Sequence, residues 1–397
     1  MSHAVAVHAR SSYLEQVGAV ALFGFAGALQ FSIAAAQILL TVTIVCWFLL
    51  IVLEHERLAV PRFFWPLVAY AAVTLVSAAF SPEPRVSLLP CKQMVLFLIV
   101  PIVYRFATGP RATMMVTVIL SFAAASAAVG IFQYGILHYD NLGQRPQGTL
   151  GHYMTYSGLL MLVIGLALAR VLFGRRERTW AALVMPALAV AVVLTFTRSA
   201  WVGACAAAAL LLSLKDFRLL AVLPVVAAIF FALAPAAVTK RFLSMFDLND
   251  PTNRDRVAML REGAHMIRAH PIVGVGPNMV QVLYSEYRDP DAVETTNPHL
   301  HNVPMQIAAE RGVPALAIWL WFVVGLIVAL ARRFRVADER FLAAAALAAV
   351  VSMFAAGMFE YNFGDSEFLM LFLAGITLPF AAARDQSATE PPRHGDV

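Results

Sequence analysis

Apolar residues in this chain arrive in runs of roughly twenty, one after another along most of its length. A helix needs about 20 apolar residues to cross the hydrocarbon core of a bilayer, so each run is a candidate span. Bounded by charges or turn residues, the runs lie at about 17–34, 36–54, 63–80, 93–109, 113–134, 154–173, 179–196, 199–214, 217–236, 313–331, 340–359 and 366–383. They predict an all-α integral membrane protein with about 12 transmembrane helices. The eighth run is short, and the first two are separated almost only by Ala36 and Gln37. Composition removes the alternatives: 60% of residues are hydrophobic and 13% charged, against about 45–50% and about 25% in soluble domains. A soluble enzyme, a disordered chain and a coiled coil are excluded. The first apolar run leads straight into the second, so the N-terminus does not read as a cleavable signal.

The loops between runs differ in charge. Alternate loops hold Arg10; Arg57 and Arg62; Arg105 and Arg111; Arg170, Arg175, Arg176 and Arg178; Lys215 and Arg218; Arg332, Arg333, Arg335 and Arg340; and Arg384 and Arg393, together 17 of the 29 Lys and Arg. The other short loops hold only Arg85, Lys92, Arg145 and Arg198. Cytoplasmic loops are the basic ones, which puts both termini in the cytoplasm. The net charge of +5 therefore reports orientation and does not point to nucleic acid. One connection, residues 237–312, is long and polar, lies on the opposite side, and carries the remaining eight cations. Long translocated loops escape the charge rule. The expected division is an N-terminal bundle of about nine spans (1–236), the outer loop (237–312), about three C-terminal spans (313–383) and a disordered cytoplasmic tail (384–397). No internal repeat of the transporter kind is visible. Cys46, Cys91 and Cys205 are scattered without CxxC spacing, and Cys46 and Cys205 read as small core hydrophobes.

The outer loop holds the unusual chemistry. Residues 254–269 read as an amphipathic helix with Val257, Leu260, Ala264 and Ile267 on one face and Arg254, Arg261, His265 and Arg268 on the other. Arg256 projects on the apolar side, where a guanidinium needs an anionic or carbonyl partner, or reaches back to water or a nearby Asp. His270-Pro271 ends that helix, and GVGPN (274–278) makes a turn. In TNPHLHNVPMQIAAERG (296–312), Asn302 is a good N-cap, Pro304 suits a first turn and Gly312 suits the residue after a helix end, so a short helix covers 303–311. His301 then precedes a helix N-terminus, which favours a neutral imidazole and attracts phosphate oxygens. Two loop histidines hydrogen-bonding at the surface would give the same pattern. His299 and His301 do not read as a metal site, because no carboxylate or third His follows at ligand spacing.

Arg198, in TFTRSAWVG (195–203), is a lone cation between two apolar runs at the outer boundary. Such a residue faces a cavity or partner, or it snorkels to lipid phosphate beside Trp201. Arg145 and Lys92 fall on the same side. Several cations and a base on one face outline a site for an anionic substrate.

These motifs resemble the O-antigen ligase and O-antigen polymerase superfamily of bacterial envelope enzymes. The resemblance rests on TRSAWVG, on Arg256 followed by HPIVGVGP, on HNVPMQIAAERGVPAL, and on a twelve-span layout with one large late loop, and it covers mainly residues 190–330. Lys92 and the 146–151 stretch are less specific points. Ala315 stands where relatives often carry a second Gly, which bears on local packing only.

The resemblance implies a GT-C-like, metal-independent glycosyltransferase without cofactor, in the bacterial inner membrane, with its active site on the periplasmic side. Its donor would be a glycan on undecaprenyl diphosphate and its acceptor a sugar hydroxyl of lipid A–core. His301 would assist attack by the acceptor. Arg198 and Arg256 would hold the diphosphate and stabilise the charge of the leaving group, with Arg145, Lys92 and His299 adding to that grip. An O-antigen polymerase and a protein O-oligosaccharyltransferase share the resemblance. A transporter is the reading from another class, and clustering of the charges on one face speaks against it.

Overall fold

A backbone inside lipid must satisfy its own hydrogen bonds, and continuous apolar runs do so by coiling into helices. The computed structural model describes residues 2–337 and 340–384, with side chains described from Tyr13 onward, and among these residues it is all-helical. Helices α1 (Ser2–Ala28), α2 (Ile33–Leu53), α3 (Phe64–Ala79), α4 (Pro84–Leu88), α5 (Ile99–Phe106) and α6 (Pro110–Gly135) form the first part of the bundle. A 3-10 segment, Leu89–Leu98, joins α4 to α5. Next come α7 (Tyr153–Phe173), α8 (Arg178–Leu194), α9 (Arg198–Lys215) and α10 (Val222–Leu233). The polar stretch holds α11 (Ala236–Leu243), α12 (Pro251–Ala269), α13 (Met279–Val282) and α14 (Tyr284–Tyr287). Helices α15 (Val303–Val336), α16 (Arg340–Gly357) and α17 (Ser366–Ala382) complete the bundle. Each of the twelve apolar runs falls on a helix, and among the described residues six helical stretches are long and apolar enough to cross a membrane. The tail from 385 onward lies outside the described residues.

Packing sorts helices that composition leaves alike. Helix α16 is buried along most of its length between α7, α9, α15 and α17, so an all-round apolar sequence serves as a core helix. Helix α10 is just as apolar, yet none of its residues is buried. Cys46 is buried as expected, but Cys205 is exposed on α9. Where every face of a helix is apolar, the sequence cannot say which one meets protein. The break between the first two runs is also displaced from Ala36 and Gln37. It falls at residues 29–32, because the Ser32 side chain caps α2 by accepting from the Ala35 N–H at 3.3 Å.

The segment before α15 is clamped to it by backbone. Val275 N–H donates to the Ala309 carbonyl at 2.9 Å, Gly276 N–H to Glu310 at 2.8 Å and Val313 N–H to Pro271 at 2.8 Å. The first two bonds satisfy carbonyls, and the third the Val313 N–H, left open where α15 breaks at Gly312, whose φ is +82°. A Cβ on Gly274 would overlap the Glu310 backbone, and one on Gly312 would overlap the Ile272 carbonyl. The expected helix 303–311 thus runs, across a kink at Gly312, into the span that follows. Met259, Met266, Val275, Met279, Val280, Leu300 and Ala309 form a separate small core beneath this clamp.

Helix α12 corrects the expected amphipathic face. Its buried residues are Asp255, Ala258, Met259, Glu262, Gly263 and Met266, while Val257 and Leu260 are 44% and 41% exposed. Two carboxylates can be buried here because loop amides meet them. Asp255 accepts from Val293 N–H at 2.7 Å and Glu294 N–H at 3.0 Å, and Glu262 accepts from Asp289 N–H at 2.9 Å. Hydrophobic periodicity has no access to such partners.

Candidate active site

The entry to α15 places His301. Asn302 caps the helix, its side chain accepting from Met305 N–H at 2.9 Å and donating to the Met358 carbonyl at 3.1 Å. His301, just before it, has φ +47°, a left-handed conformation that costs a non-glycine residue about 1 kcal/mol or more. The ring meets a carboxylate at the far end of α16: His301 Nδ1 lies 3.0 Å from Glu360 Oε2. The Glu360 side chain is 12% exposed and also accepts from the Tyr361 N–H at 3.0 Å. Burial alone would raise this carboxyl, but the rings of His301 and His299 hold it down at about 2. A carboxylate accepts only, so Nδ1 of His301 donates to it. The Nε2 atom then has no hydrogen-bond partner among the described residues and, in a neutral ring, can take a proton.

His299 sits beside this pair, its ring 4.2 Å from that of His301 and its Nε2 3.7 Å from Glu360 Oε1. Burial and the neighbouring His301 push its pKa down to about 4, so at neutral pH it is uncharged. The expectation that no carboxylate accompanies the two histidines needs correcting. Glu360, far along the chain, brings a third ligand-type atom within 4.8 Å of the other two, and the three together have the dimensions of a metal site.

Four guanidiniums gather on the other wall. Arg198 opens α9 and is only 4% exposed, so it does not snorkel to lipid. It donates to the Ser244 carbonyl and hydroxyl at 3.1 and 3.2 Å and pairs with Asp250 at 3.4 Å. That contact ties the segment leading into α12 to the bundle. Arg256, on α12, is half-buried and makes no side-chain hydrogen bond or ion pair among the described residues. Burial lowers its pKa, and the Arg198 charge adds to this against the pull of Glu360. Arg241, on α11, also has a buried Nε without a partner. Burial, together with Arg198 and Arg145, brings its pKa down to about 10. Helix α11 is held there by Val238, which packs with Leu194, Phe196 and Trp201. Arg145 stands over the Tyr153 ring at 4.2 Å, and burial lowers its pKa as well.

Between these walls lie two cavities of different character. One, about 300 Å³, is polar, lined by Arg145, Arg241, Glu294, Asn297 and Glu360. The other, about 250 Å³, is apolar, lined by Val202, Leu248, Val257, Leu260, Met358 and Phe359. Arg198, Ser199, Arg256 and His301 line both. The solvent-facing Val257 and Leu260 of α12 are thus the wall of the apolar cavity. This arrangement can hold an anion at the junction, an apolar chain on one side and polar groups on the other, with a base in reach of the boundary.

Of the residues singled out from sequence, His301, Arg256, Arg198 and Arg145 come together, and His299 supports His301 from behind. Lys92 is exposed on the 3-10 segment before α5 and lines neither cavity. Sequence reasoning missed Glu360, Arg241 and Asp250. The one signal for Glu360 was a carboxylate in the short link between two apolar runs.

No curated protein matches the chain. Residues 183–320 match the family model described as O-antigen ligase. The matched stretch contains Arg198, Arg241, Arg256, His299 and His301, while Arg145 and Glu360 lie outside it. That match covers about a third of the chain and agrees with its resemblance to the O-antigen ligase and polymerase superfamily.

Proposed function

We propose that the protein is an O-antigen ligase, transferring a glycan from undecaprenyl diphosphate to a sugar hydroxyl of lipid A–core. The observation that carries this reading is the convergence of His301, Arg198 and Arg256, from three separate elements, on the junction of an apolar and a polar cavity. The diphosphate sits at the junction, the first polyprenyl units run along Val257 and Leu260, and the glycan and acceptor occupy the polar cavity. His301 Nε2 takes the proton of the acceptor hydroxyl as its oxygen attacks the anomeric carbon. The bond from that carbon to the diphosphate oxygen breaks, and the new glycosidic bond forms. Arg256, Arg241 and Arg198 receive the negative charge of the leaving diphosphate. Glu360 holds the His301 ring and stabilises its protonated form. No step requires a metal or cofactor.

The proposal includes the membrane frame: twelve spans in a GT-C-like arrangement in the bacterial inner membrane, with both termini cytoplasmic and the site periplasmic. Its parts are the nine-span bundle 1–236, the catalytic loop 237–312, the three-span unit 313–383 and the tail 384–397. The concentration of basic residues in alternate loops supports that orientation.

Deleting the gene tests the reaction. A ligase leaves long polymer on the lipid carrier and bare lipid A–core. Single-repeat caps identify a polymerase instead, and normal lipopolysaccharide with loss of protein glycosylation identifies a protein oligosaccharyltransferase. Transfer by the purified protein persists in EDTA; sensitivity reversed by one divalent ion would make His299, His301 and Glu360 ligands instead.

A further inference from the structure

A large cavity lies at the other end of the bundle. It measures about 1180 Å³ and is bounded by the beginnings of α3, α6 and α16 and the ends of α7, α15 and α17. The candidate active site adjoins the opposite ends of α7, α15 and α16, so the two are separated by the length of those helices. Six arginines line this cavity, Arg62, Arg170, Arg175, Arg176, Arg332 and Arg333, against one described carboxylate, Glu177. Glu177 is already engaged by Arg170. Arg333 donates to the Pro379 carbonyl at 2.9 Å and lies over the Phe380 ring. Arg62, Arg175, Arg176 and Arg332 make no side-chain hydrogen bond or ion pair among the described residues.

Neighbouring arginines at the same end are treated differently. Arg105 pairs with Glu56 at 2.6 Å, and Arg111 pairs with Glu15 at 2.9 Å. Cations needed only to orient the chain can sit anywhere in these loops. Here three remote segments, before α3, between α7 and α8, and at the end of α15, aim theirs at one space. The same space has apolar walls from Phe63, Met114, Phe341 and Phe380. Gathered like charges call for a counter-charge. Apolar walls beside them fit a ligand with an acyl part, and a volume of about 1180 Å³ accommodates a headgroup with more than one phosphate.

We propose that this cavity binds an anionic phospholipid whose headgroup carries two phosphates, with its acyl chains along the apolar wall. Basic pockets between helix ends on the basic side of a membrane protein suit such headgroups. Two phosphates match four guanidiniums that have no partner among the described residues, each able to take phosphate oxygens bidentately. The inference does not depend on the transfer reaction.

The full-length protein is reconstituted in vesicles of phosphatidylethanolamine alone, with phosphatidylglycerol, or with cardiolipin, and its thermal unfolding is followed. Cardiolipin raises Tm by several degrees, and phosphatidylglycerol at equal charge raises it less. The variant Arg175→Gln/Arg176→Gln/Arg332→Gln keeps its Tm in phosphatidylethanolamine and loses the cardiolipin increment. Native mass spectrometry of the wild type finds retained cardiolipin that the variant lacks. Equal Tm in all three vesicles, or an increment kept by the variant, overturns the proposal. Equal increments from both anionic lipids overturn the two-phosphate assignment.

Discussion

The two ends of the bundle use arginine in opposite ways. At the candidate active site the guanidiniums are few and individually set: Arg198 is tied to Asp250 and Ser244, while Arg256 and Arg241 keep buried Nε atoms without partners. At the far end six arginines ring a wide cavity, and four of them are exposed. Desolvation strengthens a charge's grip on an anion and fixes its geometry, whereas exposed charges act together and are screened. On the proposed readings, the first end holds one anion in one place and the second a headgroup by many contacts.

The largest expected effect tests whether the comparison concerns chemistry at all. His301→Ala should lower transfer by about 10³-fold, within the range of a lost general base, while the protein still inserts and folds. Substituting the far-end arginines should leave turnover within about twofold, since none of them touches the junction. Full activity of His301→Ala in a purified transfer assay would remove the base from the mechanism.

The next effect separates two arginines at the same junction. Arg256→Ala should reduce transfer by about 10²- to 10³-fold with little change in Tm, because no side-chain hydrogen bond or ion pair among the described residues is lost. Arg198→Ala should reduce transfer and also lower Tm, because it frees Asp250 and the Ser244 carbonyl. Equal loss of Tm in both would show that Arg256 is structural.

Glu360→Gln tests the dyad. It should lower kcat by about 10-fold or more with little change in KM, because glutamine holds the ring without stabilising its charge. Glu360→Asp should restore part of kcat. A change confined to KM would mean that Glu360 contacts substrate rather than orienting His301.

The smallest effect is on stability and comes from His299. Its folded pKa, about 4, lies below its ordinary value of 6.5, so the folded state resists its protonation. That resistance costs nothing above about pH 6.5, and it costs stability progressively as pH falls from there toward 4. The Tm of His299→Asn should therefore fall less than that of wild type across this window. Parallel Tm curves would show that His299 titrates normally.

The helical, apolar frame was legible in the sequence because bilayer thickness sets run length. The Asn302 cap, the break at Gly312 and the end of α12 at His270 were readable, because capping is decided within a few residues, whereas the Ser32 cap of α2 was missed. The face that α12 buries was misread because Asp255 and Glu262 find partners 27 to 39 residues away. Glu360 was passed over for the same reason: its partner His301 is 59 residues distant.

The sequence by itself determined that this chain is helical and apolar, and it marked His301, Arg256 and Arg198 as residues out of place in their surroundings. Those are local properties, set by composition and spacing. Only the tertiary structure decided that Glu360 and Arg241 join them, that Lys92 does not, and that the group lies where an apolar cavity meets a polar one. Convergence of this kind depends on which helices pack together, and in a chain of nearly uniform apolar helices the sequence leaves that choice open.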